Sequence, residues 1–278
     1  MKKTILITGC SSGIGYCVAK GLQERGYRVL ATARRHASVE KLLAEGLESF
    51  RLDLNDSNSI HFAFEETMRR TGGELYALFN NGAYGLPGAV EDLNRDALRA
   101  QFETNVFGWQ ELTNLAIPVM RRQGYGRIIQ NSSVLGFVAL PFRGAYNASK
   151  YAIEGLSDTL RLELKGSNVF VSLIEPGPIA SQFRMNAVQA LQKYIDIENS
   201  FHREKYQGVL SRLNKPGPAV PFTLPPEAVL KRVIHALEAA KPQARYYVTV
   251  PTYLFGILKR ILSTRALDFL LAKSGNNN

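Results

Sequence analysis

From residue 4 to residue 178 the chain alternates short apolar runs with stretches of helical period. Each apolar run ends in a turn of small or polar residues. Residues 4–8, 28–33, 49–52, 75–79, 127–131 and 169–174 read as buried strands. Residues 16–24, 38–45, 56–70, 96–122 and 145–164 read as helices. Strands that alternate with helices need crossover connections, and crossovers make a parallel sheet. Right-handed crossovers bring every strand's C-terminal end to one edge. The expected fold is therefore α/β, a doubly wound parallel sheet in a single domain. The turns at Gly9, Asn81, Ser133 and Pro176 should line one sheet edge.

Size and composition agree with that reading. A chain of 278 residues fits one large α/β domain. The net charge of +10 could signal nucleic acid, but no Lys/Arg block and no nucleic-acid motif accompanies it. No nucleic-acid partner is expected. Cys10 and Cys17 make neither a disulfide framework nor a metal pattern, which suits a reduced, cytoplasmic setting. His36, His61, His202 and His235 have no ligand spacing, so no metal is expected. The apolar run after Met1-Lys2-Lys3 is too short for a signal sequence, and no run reaches transmembrane length.

The first strand leads through Thr8-Gly9-Cys10-Ser11-Ser12-Gly13-Ile14-Gly15 into the first helix. Three glycines let the backbone turn sharply and approach a pyrophosphate. The helix start offers free N–H groups and the positive end of its dipole. Strand, turn and helix in that order make a dinucleotide site credible. An acid at the end of the second strand would bond the ribose hydroxyls of NAD. Here the chain has Thr32-Ala33-Arg34-Arg35. A guanidinium fork suits a 2′-phosphate. The expected cofactor is NADP(H), held by Arg34 with Ser11 or Ser12 assisting.

Ser132 and Ser133 follow a strand, and Tyr146 and Lys150 stand one helical turn apart farther on. Positions i and i+4 share a helix face. A neighbouring ammonium favours the phenolate of Tyr146, which could then exchange a proton with a carbonyl or alcohol oxygen. Ser133 could hydrogen-bond that oxygen as charge develops on it. A Tyr–Lys pair by itself carries little information.

It stands here within a larger set: Thr8-Gly9 with Gly13-Ile14-Gly15, Asp53-Leu54, Asn80-Asn81-Gly82, Thr104-Asn105-Val106, Asn131-Ser132-Ser133, Tyr146 with Lys150, and Pro176-Gly177. In that order these segments resemble the short-chain dehydrogenase/reductase family over residues 4–182, its Rossmann core. The resemblance implies that Tyr146 is the acid/base and that Ser133 polarises the substrate oxygen. It implies that Lys150 lowers the Tyr146 pKa and bonds the nicotinamide ribose, and that Asn105 holds a water on the proton path. Asp53 and Leu54 would meet the adenine, Asn81 and Gly82 the ribose. Pro176, Gly177, Ile179 and Ser181 would clasp the nicotinamide. Two positions depart from the family pattern. Gly82-Ala83 stands where the family has Ala-Gly, and Ser181 where it has Thr. The closest likeness is to the 17β-hydroxysteroid and retinol dehydrogenase branch and to bacterial NADP-dependent aldehyde reductases. That likeness implies a small hydrophobic substrate and, from the family habit, a homo-oligomer. The alternative is a non-catalytic NADP(H)-binding redox sensor or scaffold.

Substrate choice should lie in residues 183–278, outside the cofactor core. Phe183, Met185, Leu191, Tyr194, Phe201, Tyr206 and Phe222 could line an apolar pocket or seal a small core. Residues 227–239 read as a helix and 245–250 as a last strand. Residues 251–271 look amphipathic: they could pack on the body, cover the pocket or lie on a membrane surface. Packing on the body is the usual outcome, and Pro251 and Gly256 argue against a long spanning helix. The terminal Asn276-Asn277-Asn278 should fray.

Overall fold

A computed structural model describes residues 2–218 and 220–276, with side chains through Lys273. Asn277 and Asn278 of the terminal run lie outside the described residues. Seven parallel strands form one sheet: β1 (Thr4–Ile7), β2 (Arg28–Ala33), β3 (Glu48–Arg51), β4 (Ala77–Asn80), β5 (Gly126–Asn131), β6 (Val169–Glu175) and β7 (Arg245–Tyr247). Their order is β3-β2-β1-β4-β5-β6-β7. Chain order reverses beside β1, between β1 and β4, where doubly wound sheets open a crevice for a ligand.

The period of two along each strand divides the core. Ile5 and Ile7 of β1 face α1 (Gly13–Glu24), α2 (His36–Ala44) and α9 (Glu227–Glu238), through Val18, Leu22, Leu42 and Val233. Leu6 faces the other way. It joins Ile60 of α3 (Ser57–Thr71), Trp109 and Leu112 of α5 (Gly108–Gln123), and Ile153 of α6 (Gly144–Glu163). Each fully buried Leu or Ile contributes about 1.5–3 kcal/mol. The helices are set by local chemistry as well. Asp56 caps α3 by accepting from the amides of Asn58 and Ser59. Asn94 caps α4 (Arg95–Phe102) through the Ala97 amide.

Three elements differ from the sequence reading. The stretch read as one helix over 96–122 is α4, then a π-helical turn over Glu103–Phe107, then α5. Residues 179–226 hold α7 (Phe183–Tyr194) and α8 (Arg203–Asn214). The last strand stops at Tyr247. Pro251 has no N–H for a ladder and suits a first helical turn, so α10 (Val250–Ile261) begins there. The amphipathic tail is two helices, because extended Leu262 parts α10 from α11 (Thr264–Asn276).

Candidate active site

The site begins where Thr8 leaves β1. Its hydroxyl accepts from the amides of Asn81 (2.8 Å) and Gly82 (2.9 Å). The Asn81 side chain returns the contact, donating to the carbonyls of Thr8 (3.0 Å) and Gly9 (3.2 Å). Asn131 donates to Asn81 Oδ1 at 2.9 Å. One hydrogen-bonded seam thus ties the ends of β1, β4 and β5.

Two glycines are required by that closeness. Gly9 sits at φ +72°, and a Cβ there would come within 2.5 Å of the Gly82 Cα. A Cβ on Gly15 would come within 2.3 Å of the Gly9 carbonyl oxygen. At the start of α1 the Ser12 side chain makes no capping bond, and the first turn holds no acid. The amides of Gly13 and Ile14 therefore face a place suited to an anion. Ser181 lies over the same turn, 2.9 Å from where a Gly13 Cβ would be. Nearby, Asn131 Oδ1 is buried without a partner among the described residues. This cradle of small residues, open amides and an unpaired polar atom fits a dinucleotide.

Ser133, Tyr146, Lys150 and Asn105 gather at the end of β5. Ser133 accepts from the Leu135 amide at 3.1 Å and donates to the Pro176 carbonyl at 3.5 Å, close enough to Tyr146 to act on its hydroxyl. Lys150 is buried, with Nζ 2.7 Å from the Asn131 carbonyl and 4.3 Å from the centre of the Trp109 ring. Asn105 comes from the π-helical turn, a backbone irregularity frequent at functional sites. Its amide donates to the Tyr84 carbonyl (2.9 Å) and to Ser149 Oγ (3.1 Å), while its oxygen accepts from the Tyr84 amide (3.2 Å). Ser149 Oγ in turn donates to the Tyr146 carbonyl (2.8 Å).

Electrostatics here differ from the sequence reading in one respect. The family resemblance implies that Lys150 lowers the Tyr146 pKa. Instead, burial pushes the Tyr146 hydroxyl up to about 12, and Ser133 is the group that opposes the rise. Lys150 Nζ is 5.6 Å from the Tyr146 ring centre and directed at Asn131. Burial pulls Lys150 down to about 7, against the pull of Glu154 one turn along α6.

The other sequence-predicted residues spread along the same edge. Arg34 is exposed just beyond β2, its carbonyl accepting from Arg51 Nε at 3.2 Å. Its charge reaches the Tyr84 hydroxyl, which burial pushes up to about 12. Asp53 follows β3, with Oδ1 accepting from the Asn55 amide (3.1 Å) and Oδ2 3.8 Å from Arg51. Leu54 is buried under Gly108. Ser11 is exposed. Arg34 and Asp53 stand on the far half of the sheet from β5, so a ligand touching both groups must lie along the edge. After β6 the Pro176 carbonyl accepts from the Val134 amide (2.8 Å), Gly177 packs against Thr249, and Ile179 pairs with Leu224. Among the described residues no group of three or more His, Cys, Asp or Glu could hold a metal ion.

The aromatic and apolar set splits. Phe183 stands edge to face with Tyr146, ring centres 5.4 Å apart. Leu191 and Tyr206 are fully buried in a separate core with Leu86 and Ala145, and Tyr194 packs on it. Met185, Phe201 and Phe222 are exposed.

Sequence reasoning missed Trp109 and a buried charge cluster. Ser132 donates to Glu154 Oε1. Arg245 reaches Glu154 (3.1 Å), Asp158 (2.7 Å) and Glu175 (3.1 Å). Burial, with Glu154 beside it, holds the Glu175 carboxyl well above the usual carboxylate range. Glu154 was findable, being four residues after Lys150 and so on the same helix face.

The family follows from comparison. The short chain dehydrogenase family matches residues 3–192. The chain is a short-chain dehydrogenase/reductase. It is 42% identical over 271 residues to the oxidoreductase YbbO of Escherichia coli (strain K12), covering 98% of this chain and 94% of that protein. Human 17-beta-hydroxysteroid dehydrogenase type 1 is 35% identical over 262 residues, 89% of this chain and 78% of that one. A solved short-chain dehydrogenase from Streptomyces avermitilis superposes with a TM-score of 0.79 at 29% identity, over 94% of this chain and 93% of that chain. Members of the family are hydride-transfer oxidoreductases that use NAD(P), so this short-chain dehydrogenase is an enzyme with a nicotinamide cofactor and a small-molecule substrate.

Proposed function

We propose that this short-chain dehydrogenase uses NADP(H) and interconverts a hydrophobic carbonyl compound and its alcohol, with Tyr146 as the acid/base. The observation that carries this reading is Ser133 acting on the buried Tyr146 hydroxyl, with Lys150 Nζ 5.6 Å from the centre of the Tyr146 ring. The bound nicotinamide supplies or accepts the hydride. Tyr146 gives the carbonyl oxygen its proton, or takes it back from the alcohol. Ser133 holds that oxygen by a hydrogen bond that strengthens as negative charge develops. Lys150 bonds the ribose, and Asn105 orders a water behind it. Gly9, Ser12, Gly13, Ile14 and Gly15 wrap the pyrophosphate. Asp53, Leu54, Asn81 and Gly82 hold the adenosine and ribose, and Pro176, Gly177, Ile179 and Ser181 the nicotinamide.

Arg34, with Ser11, selects the 2′-phosphate. The exposed Arg34 guanidinium just past β2, with no carboxylate at the strand end, supports that choice. Phe183 against Tyr146 supports an apolar substrate. Residues 4–182 form the cofactor core and 183–278 the substrate-selecting part. Subunits pair through α5 and α6, a reading supported by exposed Leu156 and Leu162 on α6. The two free thiols suit the cytoplasm.

Following NADPH absorbance with a panel of aldehydes, retinal and 17-ketosteroids tests the activity. Tyr146→Phe should lower turnover by roughly 10²–10⁴-fold and leave NADPH binding intact. NADPH binding with no turnover on any substrate would point to a sensor or scaffold instead. Arg34→Asp should weaken NADPH relative to NADH by roughly tenfold or more, since a guanidinium–phosphate pair is lost and a repulsion gained. An unchanged preference would remove Arg34 from the cofactor site.

A further inference from the structure

Helix α10 faces the wrong way for a core helix. Val250, Tyr253, Leu254, Ile257 and Ile261 are all exposed, Ile261 to 70%. Their spacing of 3, 4, 7 and 11 residues from Val250 puts them on one stripe. The inward side carries Thr252 and Gly256. Gly256 lies against the Tyr247 ring, where a Cβ would meet a ring carbon at 2.6 Å. The stripe is held outward by fixed contacts. Tyr253 stands edge to face with Tyr247 (5.3 Å) and accepts from Arg232 (3.2 Å), and Lys259 lies over the Tyr151 ring. On α11 Phe269 is also exposed, with Lys273 over its ring. Cations dominate the same two helices: Lys259, Arg260, Arg265 and Lys273 against Asp268.

We propose that α10 and α11 dock this protein on an anionic lipid surface, with the α10 stripe in the headgroup–acyl boundary. A helix of 12 residues is about 18 Å long, too short to cross a bilayer but suited to lying along it. No helix of the described residues is long and apolar enough to cross a membrane. Charge decides between lipid and a second copy of the chain. A two-fold contact through this face sets Arg260 and its neighbouring cations against their own copies, which repel. An anionic surface attracts each of them. The inner sides of the same helices, through Phe255, Leu267 and Leu271, pack on Leu135 and Val138 beside Tyr146. The docking surface therefore backs onto the reaction centre, although docking itself does not depend on the proposed activity.

Co-sedimentation of the full chain with vesicles tests the proposal, comparing phosphatidylcholine alone with phosphatidylcholine plus phosphatidylglycerol. Binding to the mixed vesicles, weakened by salt, is expected. Leu254→Ser with Ile257→Ser and Ile261→Ser should weaken it by roughly tenfold or more, as large apolar side chains no longer leave water. Arg260→Glu should lower binding to the anionic vesicles alone. A thermal melt confirms that these surface variants fold. Equal sedimentation of wild type and triple variant would overturn the proposal, as would no binding to either vesicle. A wild-type oligomer that the triple variant dissociates, without vesicle binding, would assign the stripe to a second copy.

Discussion

Lys150 is held at the residue scale by an arrangement that costs stability. Its ammonium is buried, has one carbonyl and the faces of Trp109 and Tyr146 as neighbours, and is pulled down to about 7. The folded value lies below the ordinary 10.5, so below about pH 7 both folded and unfolded chains hold the proton and the folded chain bears a buried charge. Between about 7 and 10.5 only the unfolded chain holds it, and stability contributed by this group rises with pH. Lys150→Met should therefore gain more melting temperature over the wild type at about pH 6 than at about pH 9, where the wild-type lysine is already neutral. Circular dichroism melts at the two pH values check the sign. An equal gain at both would mean that Lys150 titrates at its ordinary value when folded. The same burial that makes the charge costly leaves it unscreened for a cofactor hydroxyl or for Tyr146.

Elements show where sequence reading reached and where it stopped. A Gly15→Ala chain should lose roughly 1–3 kcal/mol by chemical denaturation and bind NADPH more weakly by fluorescence titration, because the new Cβ must push α1 away from the Gly9 carbonyl. Unchanged binding would mean that α1 and the turn can separate without harm. That contact was foreshadowed by glycine spacing, since strand, turn and helix are local patterns. The strand set through β6 and the helix set on both faces were legible for the same reason: periods of two and 3.6 report burial directly. The π-helical turn was not. It inserts a residue into a helix whose period hardly changes over so short a span, and only Gly108, pressed on the Leu54 carbonyl, marks it. Asn105 was therefore found by its place in a motif, while the Tyr84 backbone that it clamps could not be. The inward turn of Tyr206 and Leu191, and the outward turn of Phe201, depend on how α7 and α8 dock, which composition cannot tell. The two helices of the tail read as one, because a break at extended Leu262 carries no glycine or proline.

At the scale of the whole molecule, two buried titrating groups of opposite sign, Lys150 on α6 and Glu175 at the end of β6, both neighbour Glu154. Glu175 is protonated in the fold well above the usual carboxylate range, so from its ordinary 4.5 upward the unfolded chain is ionised while the folded chain keeps its proton. Stability from this group falls as pH rises through that window, whereas the Lys150 contribution rises from about 7. The two oppose each other above neutrality. Glu175→Gln keeps the shape of the protonated acid and should gain on the wild type in urea midpoint from about pH 5 to about pH 8. A constant difference would mean that Arg245 keeps Glu175 ionised. One more feature bears on the whole chain. The backbone of residues 180–224 departs and returns at a single point, where the Ala180 amide meets the Leu224 carbonyl (2.9 Å) and the Leu224 amide meets the Pro178 carbonyl (3.1 Å), while its helices pack on Leu86 and Ala145. An excursion whose two ends already touch is a cassette. On the proposed division of the chain, exchanging residues 184–224 for the corresponding stretch of a relative, with Ser181 and Phe183 kept where they meet Gly13 and Tyr146, leaves β1–β6 and the glycine turn as they are and should change substrate preference.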